Sequence, residues 1–370
     1  MEEILFNTRP RHGGNIEWAA QVANCSPFAL LDFSASISPL GPPASAIAAL
    51  HTSLDQLTRY PNPRYDTLRQ ALAQHHHLDP DWILPGNGAA ELLTWAGRDL
   101  SAQTATYLLT PAFGDYGRSL TAFNATPIPC PLSLTAAEQA TVDWTTTVTQ
   151  PLQHSPKRCG LLLNTPHNPT GLMIPRSALT ALLEQFALVI VDEAFMDFVP
   201  PDRQQSLINE IEHWPNLVVV RSLTKFYSLP GLRLGYAIAH PNRLQRWQTW
   251  RDPWPVNALA VTAAEAVLTD HDYAQRTWQW LNAARPALFS QLQTIPGLHP
   301  LPGEANYLLM RCDRPGSQIQ LALLRRHRIL VRDCLSFAEL GDRYIRVAIR
   351  TPEENQRLVA GLKDVLGQTP

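Results

Sequence analysis

The sequence predicts an α/β fold: a large domain with a mostly parallel sheet covered by helices, plus a smaller α+β domain. Three observations carry that reading. Short apolar runs at 106–109, 160–163, 187–191 and 217–220 alternate with helical stretches, the pattern of strands buried on both faces. Each run ends in a polar or proline-rich turn, and ligands of such sheets bind beyond the C-terminal strand ends. After residue 300, strand-like segments at 306–310, 329–332 and 344–349 with helices at 317–327 and 352–366 form a separate α+β unit.

The first 43 residues read as an N-terminal arm joining the smaller domain. They hold RHGGN (11–15), an amphipathic stretch at 16–23, and LLDFSASISPLGPP (30–43), in which Leu31 and Phe33 alternate with polar neighbours and prolines then force a loop. The glycines after His12 allow backbone to approach a ligand closely, although a mobile arm has the same composition. The large domain is expected over 44–255. Helices at 44–57 and 65–75 flank the turn RYPNP (59–63). His75, His76 and His77 are adjacent and cannot share one helix face, so they read as solvated and no metal site is expected. A short apolar piece from 83 leads into Gly86-Asn87-Gly88 and a helix over 89–100. Small residues at a helix start leave N–H groups that favour an anion. The strands then end in turn at TPAFGDY, NTPHNPTG, DEAF and a lysine loop, with helices at 116–123 and 176–186 between. A long helical stretch over 255–292 bridges to the second domain, assigned 256–370. The strand-borne Arg332 and Arg346 stand out there, because an arginine in a strand has less freedom to reach solvent.

The chain has 370 residues and a formal net charge of -2, which argues against a nucleic-acid surface or a polybasic membrane patch. Five scattered cysteines without a C-x-x-C argue against a disulfide framework or zinc ribbon. No apolar signal core opens the chain and no apolar run approaches membrane-spanning length, so a cytoplasmic protein is expected.

The stretch 218–236, VVVRSLTKFYSLPGLRLGY, holds the one lysine between Lys157 and Lys363. Taken alone, Lys225 reads as a solvated lysine on a loop, and the rest of the chain has to overturn that reading. Gly88, Phe113, Asn168, Asp192 and Lys225, however, all fall at or just past predicted strand ends. An amine, a carboxylate, an amide, a stacking ring and an anion cradle on one sheet edge suit pyridoxal phosphate. Asp192 is placed to hold a ring nitrogen protonated, although strand-end aspartates also serve as caps. Backbone N–H groups near Ala89 and Ala90, with Ser222 and Arg233, suit the cofactor phosphate.

NTPHNPTG, DEAF and SLTKFYSLPGLRLGY, in that order, resemble the fold-type I pyridoxal-phosphate enzymes of the class I/II aminotransferase superfamily. The resemblance implies that Lys225 forms the Schiff base, Asp192 partners the ring nitrogen, Asn168 bonds the ring's phenolic oxygen and Phe113 stacks on the ring. It implies a homodimer in which Tyr60 reaches the neighbouring subunit's phosphate, and it assigns Arg346 to a substrate carboxylate. Phe195 departs from the pattern, since many relatives carry a tyrosine that also bonds the phenolic oxygen.

RHGGN, LDFSASISPLGPP, DEAFMDF and the VRDC around Arg332 are similar, more narrowly, to the threonine-phosphate decarboxylases of cobalamin side-chain synthesis. That resemblance implies a small phosphorylated amino-acid substrate held by His12, Gly13, Ser36, Arg332 and Arg346. Ser36 and Ser38 stand where those enzymes commonly carry asparagines. The alternative is a histidinol-phosphate or other amino-acid aminotransferase. The choice rests on which bond at Cα stands perpendicular to the cofactor ring, and each roughly 1.4 kcal/mol between the two poses is tenfold in rate.

Overall fold

The computed structural model describes residues 9–367. Residues 1–8, the start of the predicted arm, lie outside the described residues.

Thirteen strands occur among the described residues: β1 Leu31–Asp32, β2 Ile83–Asn87, β3 Thr106–Thr110, β4 Pro127–Pro131, β5 Gly160–Asn164, β6 Leu188–Asp192, β7 Leu217–Ser222, β8 Leu234–Ala239, β9 Leu298–Pro300, β10 Tyr307–Cys312, β11 Ile329–Leu330, β12 Arg332–Asp333 and β13 Tyr344–Ala348. Seven form one sheet in the order β2-β8-β7-β6-β5-β3-β4. Its pairings are parallel except those of β8, which runs antiparallel to β2 and β7. The C-terminal ends of β2, β3, β5, β6 and β7 therefore share one edge with the start of β8. That brings Arg233, which precedes β8, beside Ser222, which ends β7.

The central strands are uniformly buried because both faces are covered. Leu161, Leu163, Val189, Val191 and Val219 join the larger apolar cluster, and their neighbours Leu162, Ile190, Val218 and Val220 join a second one beneath the helix Gly88–Ser101. Strand β4, PIPCP, is the edge, a position open to proline. Leu132 N–H bonds to Thr110 O at 2.7 Å. By alternation the N–H groups of Ile128 and Cys130 also face β3, leaving Pro127, Pro129 and Pro131 on the open side, where an edge without donors resists further pairing.

The second sheet is antiparallel, β12-β13-β10-β9. Arg332 pairs directly with Arg346 across β12 and β13. The N-terminal segment joins this half: β1 runs parallel to β11, and Trp18, Ala19 and Val22 of the helix Ile16–Ala23 pack with Leu324 and Leu330.

Three details differ from the sequence reading. The stretch expected to be one bridging helix is two, Ala258–Leu268 and His271–Gln293. Asp270 starts the second by accepting the Tyr273 N–H at 3.0 Å, a side-chain cap that helical periodicity does not reveal. Helix 44–57 shortens to Ala44–Thr52 and continues as the 3-10 turn Leu54–Thr58. The histidine run is not uniformly solvated: His76 is half-buried, and its Nε2 lies 2.8 Å from the Tyr236 hydroxyl.

Candidate active site

Ser222 ends β7, and its side chain accepts the Thr224 N–H to open the single helical turn Leu223–Phe226. That turn carries Lys225. Its backbone carbonyl accepts the Ser38 N–H at 3.0 Å, so the N-terminal segment clamps the turn. The amine lies 5.2 Å from the Phe195 ring centroid. Burial pulls the Lys225 ammonium below its ordinary range; Asp192 opposes that shift, while Arg233 and Arg346 reinforce it. The neutral amine, the form that attacks a carbonyl, is thereby favoured.

Asp192 closes β6 and is buried. Its Oδ1 accepts the Ala194 N–H at 2.9 Å and its Oδ2 accepts the Tyr116 hydroxyl at 2.7 Å. Burial pushes its carboxyl above the usual range, opposed by Tyr116 and Lys225. Tyr116 is itself buried, edge-on to Phe113 with ring centroids 5.6 Å apart. Sequence reasoning did not single out Tyr116. The available signal was its spacing: three residues after Phe113, across a helix start, it stays within reach of the same ring.

Gly88 opens the helix Gly88–Ser101 with φ +73°, a conformation that costs glycine little. A Cβ there would stand 2.7 Å from an Arg233 guanidinium nitrogen. The next N–H groups, of Ala89 and Ala90, belong to the first turn and lack intrahelical partners. Ser222 Oγ and Thr224 Oγ1, 2.8 Å apart, complete the rim. Gly235 lets this cradle close, since a Cβ on it would meet Ala89 N at 2.6 Å and Arg221 O at 2.7 Å.

Asn168 accepts a short hydrogen bond on Oδ1 from Arg346. The Arg346 guanidinium lies 4.7 Å from the Tyr307 ring centroid and donates to Ser34 O at 3.4 Å. Arg332 donates to the backbone carbonyls of Pro10 and Arg11 and to Ser336 Oγ. It thereby holds the arm that places His12 5.5 Å from Phe113. Gly14 N–H bonds to Ser34 Oγ at 2.8 Å, and a side chain at Gly13 would run into the Ser34 carbonyl. Burial and Arg332 hold the His12 imidazole below its ordinary pKa. Ser36 Oγ is buried with no hydrogen-bond partner among the described residues, whereas Ser38 Oγ accepts from the Tyr273 hydroxyl at 3.3 Å.

Every residue that the sequence suggested for the site, except Tyr60, lines one cavity of about 430 Å³. Tyr60 is 79% exposed and stacks on Trp254, with ring centroids 4.5 Å apart. Among the described residues the cavity presents three guanidinium cations, Arg233, Arg332 and Arg346, and the Lys225 amine, against one carboxylate, Asp192. Arg346 has only neutral hydrogen-bond acceptors among the described residues. Such a buried cation is stabilised by an incoming anion.

The model for "Aminotransferase class I and II" matches residues 29–362. The chain belongs to this family. It is 41% identical to the threonine-phosphate decarboxylase of Salmonella typhimurium over 98% of each chain. It is 34% identical to the histidinol-phosphate aminotransferase of Symbiobacterium thermophilum, covering 92% of this chain and 91% of that one. Among solved structures, the histidinol-phosphate aminotransferase of Clostridium acetobutylicum superposes with a TM-score of 0.83 at 26% identity, covering 91% and 99% of the two chains. The cofactor of this family is pyridoxal 5'-phosphate, and the cavity fits it. The glycine cradle admits a phosphate no side chain could share, a depressed lysine amine faces the space, and a buried carboxylate stands opposite.

Proposed function

We propose that this chain is a pyridoxal-phosphate-dependent decarboxylase of L-threonine O-3-phosphate, releasing carbon dioxide and leaving 1-aminopropan-2-yl phosphate. The observation that carries the reading is the cation surplus of the cavity. Arg233 and the N–H groups of Ala89 and Ala90 match one phosphate, the cofactor's. Arg332, Arg346 and His12 remain for a substrate with two anionic groups. The identity to the Salmonella enzyme supports the choice of substrate.

In this reading Gly88, Ala89, Ala90, Ser222 and Arg233 hold the cofactor phosphate. Phe113 covers the ring, Asn168 donates to its phenolic oxygen and Asp192 holds the proton on its nitrogen. When bound, the cofactor supplies the electron sink for the pair left on Cα as the carboxylate departs. His12, Gly13, Ser36, Arg332 and Arg346 orient the substrate so that its carboxylate, not its hydrogen, stands upright over the ring. Arg332 meets the substrate while tied to the arm carbonyls, so the arm is positioned by the residue it helps to cover. Lys225 Nζ binds the cofactor before turnover and afterwards holds the proton that replaces carbon dioxide on Cα. The reading includes a cytoplasmic homodimer in which Tyr60, exposed here, reaches the partner's cofactor phosphate. Among the described residues no helix is long and apolar enough to cross a membrane.

The test is incubation of the loaded protein with L-threonine O-3-phosphate. Equimolar carbon dioxide and an amine phosphate are expected, and a keto acid in their place overturns the reading. The second reading, a histidinol-phosphate aminotransferase, is favoured by the 34% relative. It predicts glutamate from 2-oxoglutarate with histidinol phosphate as donor.

A further inference from the structure

We propose that Tyr116 is a positioning residue that keeps the Asp192 carboxylate ionised and aimed at the cofactor ring nitrogen. This rests on the cofactor geometry proposed above, though not on which substrate is turned over.

Asp192 is 7% exposed and Tyr116 is 1% exposed, so the bond between them is shielded from bulk water. The hydroxyl donates to Oδ2 at 2.7 Å while the Ala194 N–H takes Oδ1 at 2.9 Å. These two donors grip one oxygen each. A carboxylate offers about four lone-pair sites, so a further donor still finds an acceptor, now fixed in direction. The ring of Tyr116 is locked at 85° against Phe113, the residue proposed to cover the cofactor. One side chain thus ties together the groups expected on the face and at the nitrogen of the ring.

The charged and titratable groups around Asp192 are Lys225, Asp115, Tyr116 and Tyr307. Lys225 favours the ionised form and Asp115 opposes it. In the site as proposed, Lys225 would be bonded to the cofactor and no longer a free ammonium facing Asp192. The Tyr116 hydroxyl and the Ala194 N–H then remain as the neutral donors to the ionised form, and Tyr116 is the side chain among them. Burial and Asp192 push the Tyr116 phenol far above its ordinary range, so it stays a donor throughout the working pH range.

The test compares the unaltered holoenzyme with Tyr116→Phe, which removes one oxygen. The Asp192 carboxyl is followed by infrared titration, assigned by its loss in Asp192→Asn. The acid limb of kcat is followed alongside, on whichever product the unaltered enzyme forms. A hydrogen bond to a charged group of ordinary strength corresponds to about one to two pH units. Both the carboxyl titration and the acid limb are expected to move up by that amount, with cofactor retained and KM little changed. A uniform fall in kcat with neither midpoint moved overturns the proposal. 3-Fluorotyrosine incorporated at Tyr116 preserves the shape and strengthens the donor, so both midpoints are expected to move down. A midpoint that stays fixed there overturns it even if Tyr116→Phe does not fold. Failure to decarboxylate O-phosphothreonine leaves these midpoints measurable and counts only against the substrate reading.

Discussion

Gly235→Ala tests the cradle through a single methyl group. Gly235 lies on β8, between β7 and β2, and faces the start of the helix Gly88–Ser101. Its added Cβ would meet Ala89 N at 2.6 Å, Arg221 O at 2.7 Å and Gly88 C at 3.0 Å. All three are backbone atoms, so no rotamer change relieves the contact. Ordinary van der Waals contact begins near 3.4 Å, so the helix start must retreat by about 0.8 Å. A donor held at about 2.9 Å from a phosphate oxygen would then stand near 3.7 Å, outside hydrogen-bond range. Loss of one charge-assisted bond of about 1.5–3 kcal/mol corresponds to a roughly 10- to 150-fold weaker dissociation constant for pyridoxal phosphate. Overpacking adds about 1–3 kcal/mol of destabilisation of the cofactor-free protein. Cofactor binding by fluorescence titration and urea unfolding measure the two effects separately. Gly231→Ala is the control: among the described residues nothing lies within 4 Å of an added Cβ, and a change within about 0.5 kcal/mol is expected. Gly235→Ala with the control's affinity and stability would refute the reasoning.

Lys225→Ala is expected to abolish the visible absorbance of bound cofactor and its reductive trapping by borohydride; trapping at another lysine would reassign the attachment site. Glu193→Gln breaks a buried pair in which Arg221 Nε lies 2.8 Å from Glu193 Oε2, with side chains 3% and 1% exposed. Among the described residues Asp197 then remains as the carboxylate paired to Arg221. A loss of about 3–5 kcal/mol is expected in urea unfolding at pH 7, and a loss under 1 kcal/mol would count against a structural role for the pair. Lys225 is held below its unfolded pKa, so between the two values the unfolded chain holds more protons and stability rises with pH. The rate of cofactor capture by the cofactor-free protein should rise with pH through the folded-state value. Asp192→Asn, which removes the charge opposing that depression, should move the midpoint to lower pH; a shift upward would contradict the assigned cause.

Much of the edge that carries the site was legible because each strand end announces itself. A buried apolar run followed by Asn, Asp, Ser or Gly fixes where the chain turns, and a parallel sheet gathers such turns on one side. Strand β8 was harder to read. Its first residues close the lysine stretch, and nothing local shows that it runs antiparallel, which is what carries Arg233 back to the phosphate cradle. Strand β4 escaped because PIPCP violates strand propensity, and only its place at the sheet edge makes it tolerable. The bonds of Tyr116 to Asp192 and of Tyr236 to His76 escaped for another reason: they join positions 76 and 160 residues apart, and the local spacing of Tyr116 from Phe113 does not encode the distant partner.

The two arginines show what composition could not reveal. Arg332 and Arg346 are direct cross-strand partners, a pairing that like charges disfavour. Burial is the main cause that pulls both guanidinium groups down, and at Arg332 the charge of Arg346 adds to it. Arg332 offsets the cost through Asp333 at 4.0 Å and the carbonyls of the arm. Arg346 has Asn168, Ser34 and the Tyr307 ring, which are neutral. The pair is therefore unequal. An arriving dianion gains more at Arg346, where no carboxylate competes, while Arg332 can engage it without releasing the arm only if a donor remains free. Arg332→Lys separates these roles, because a single ammonium cannot hold two carbonyls and an anion in the fork geometry of a guanidinium. Its KM for a phosphorylated substrate should rise at least tenfold with cofactor affinity unchanged. An equal loss of cofactor affinity would mean that the arm and the cradle move as one body.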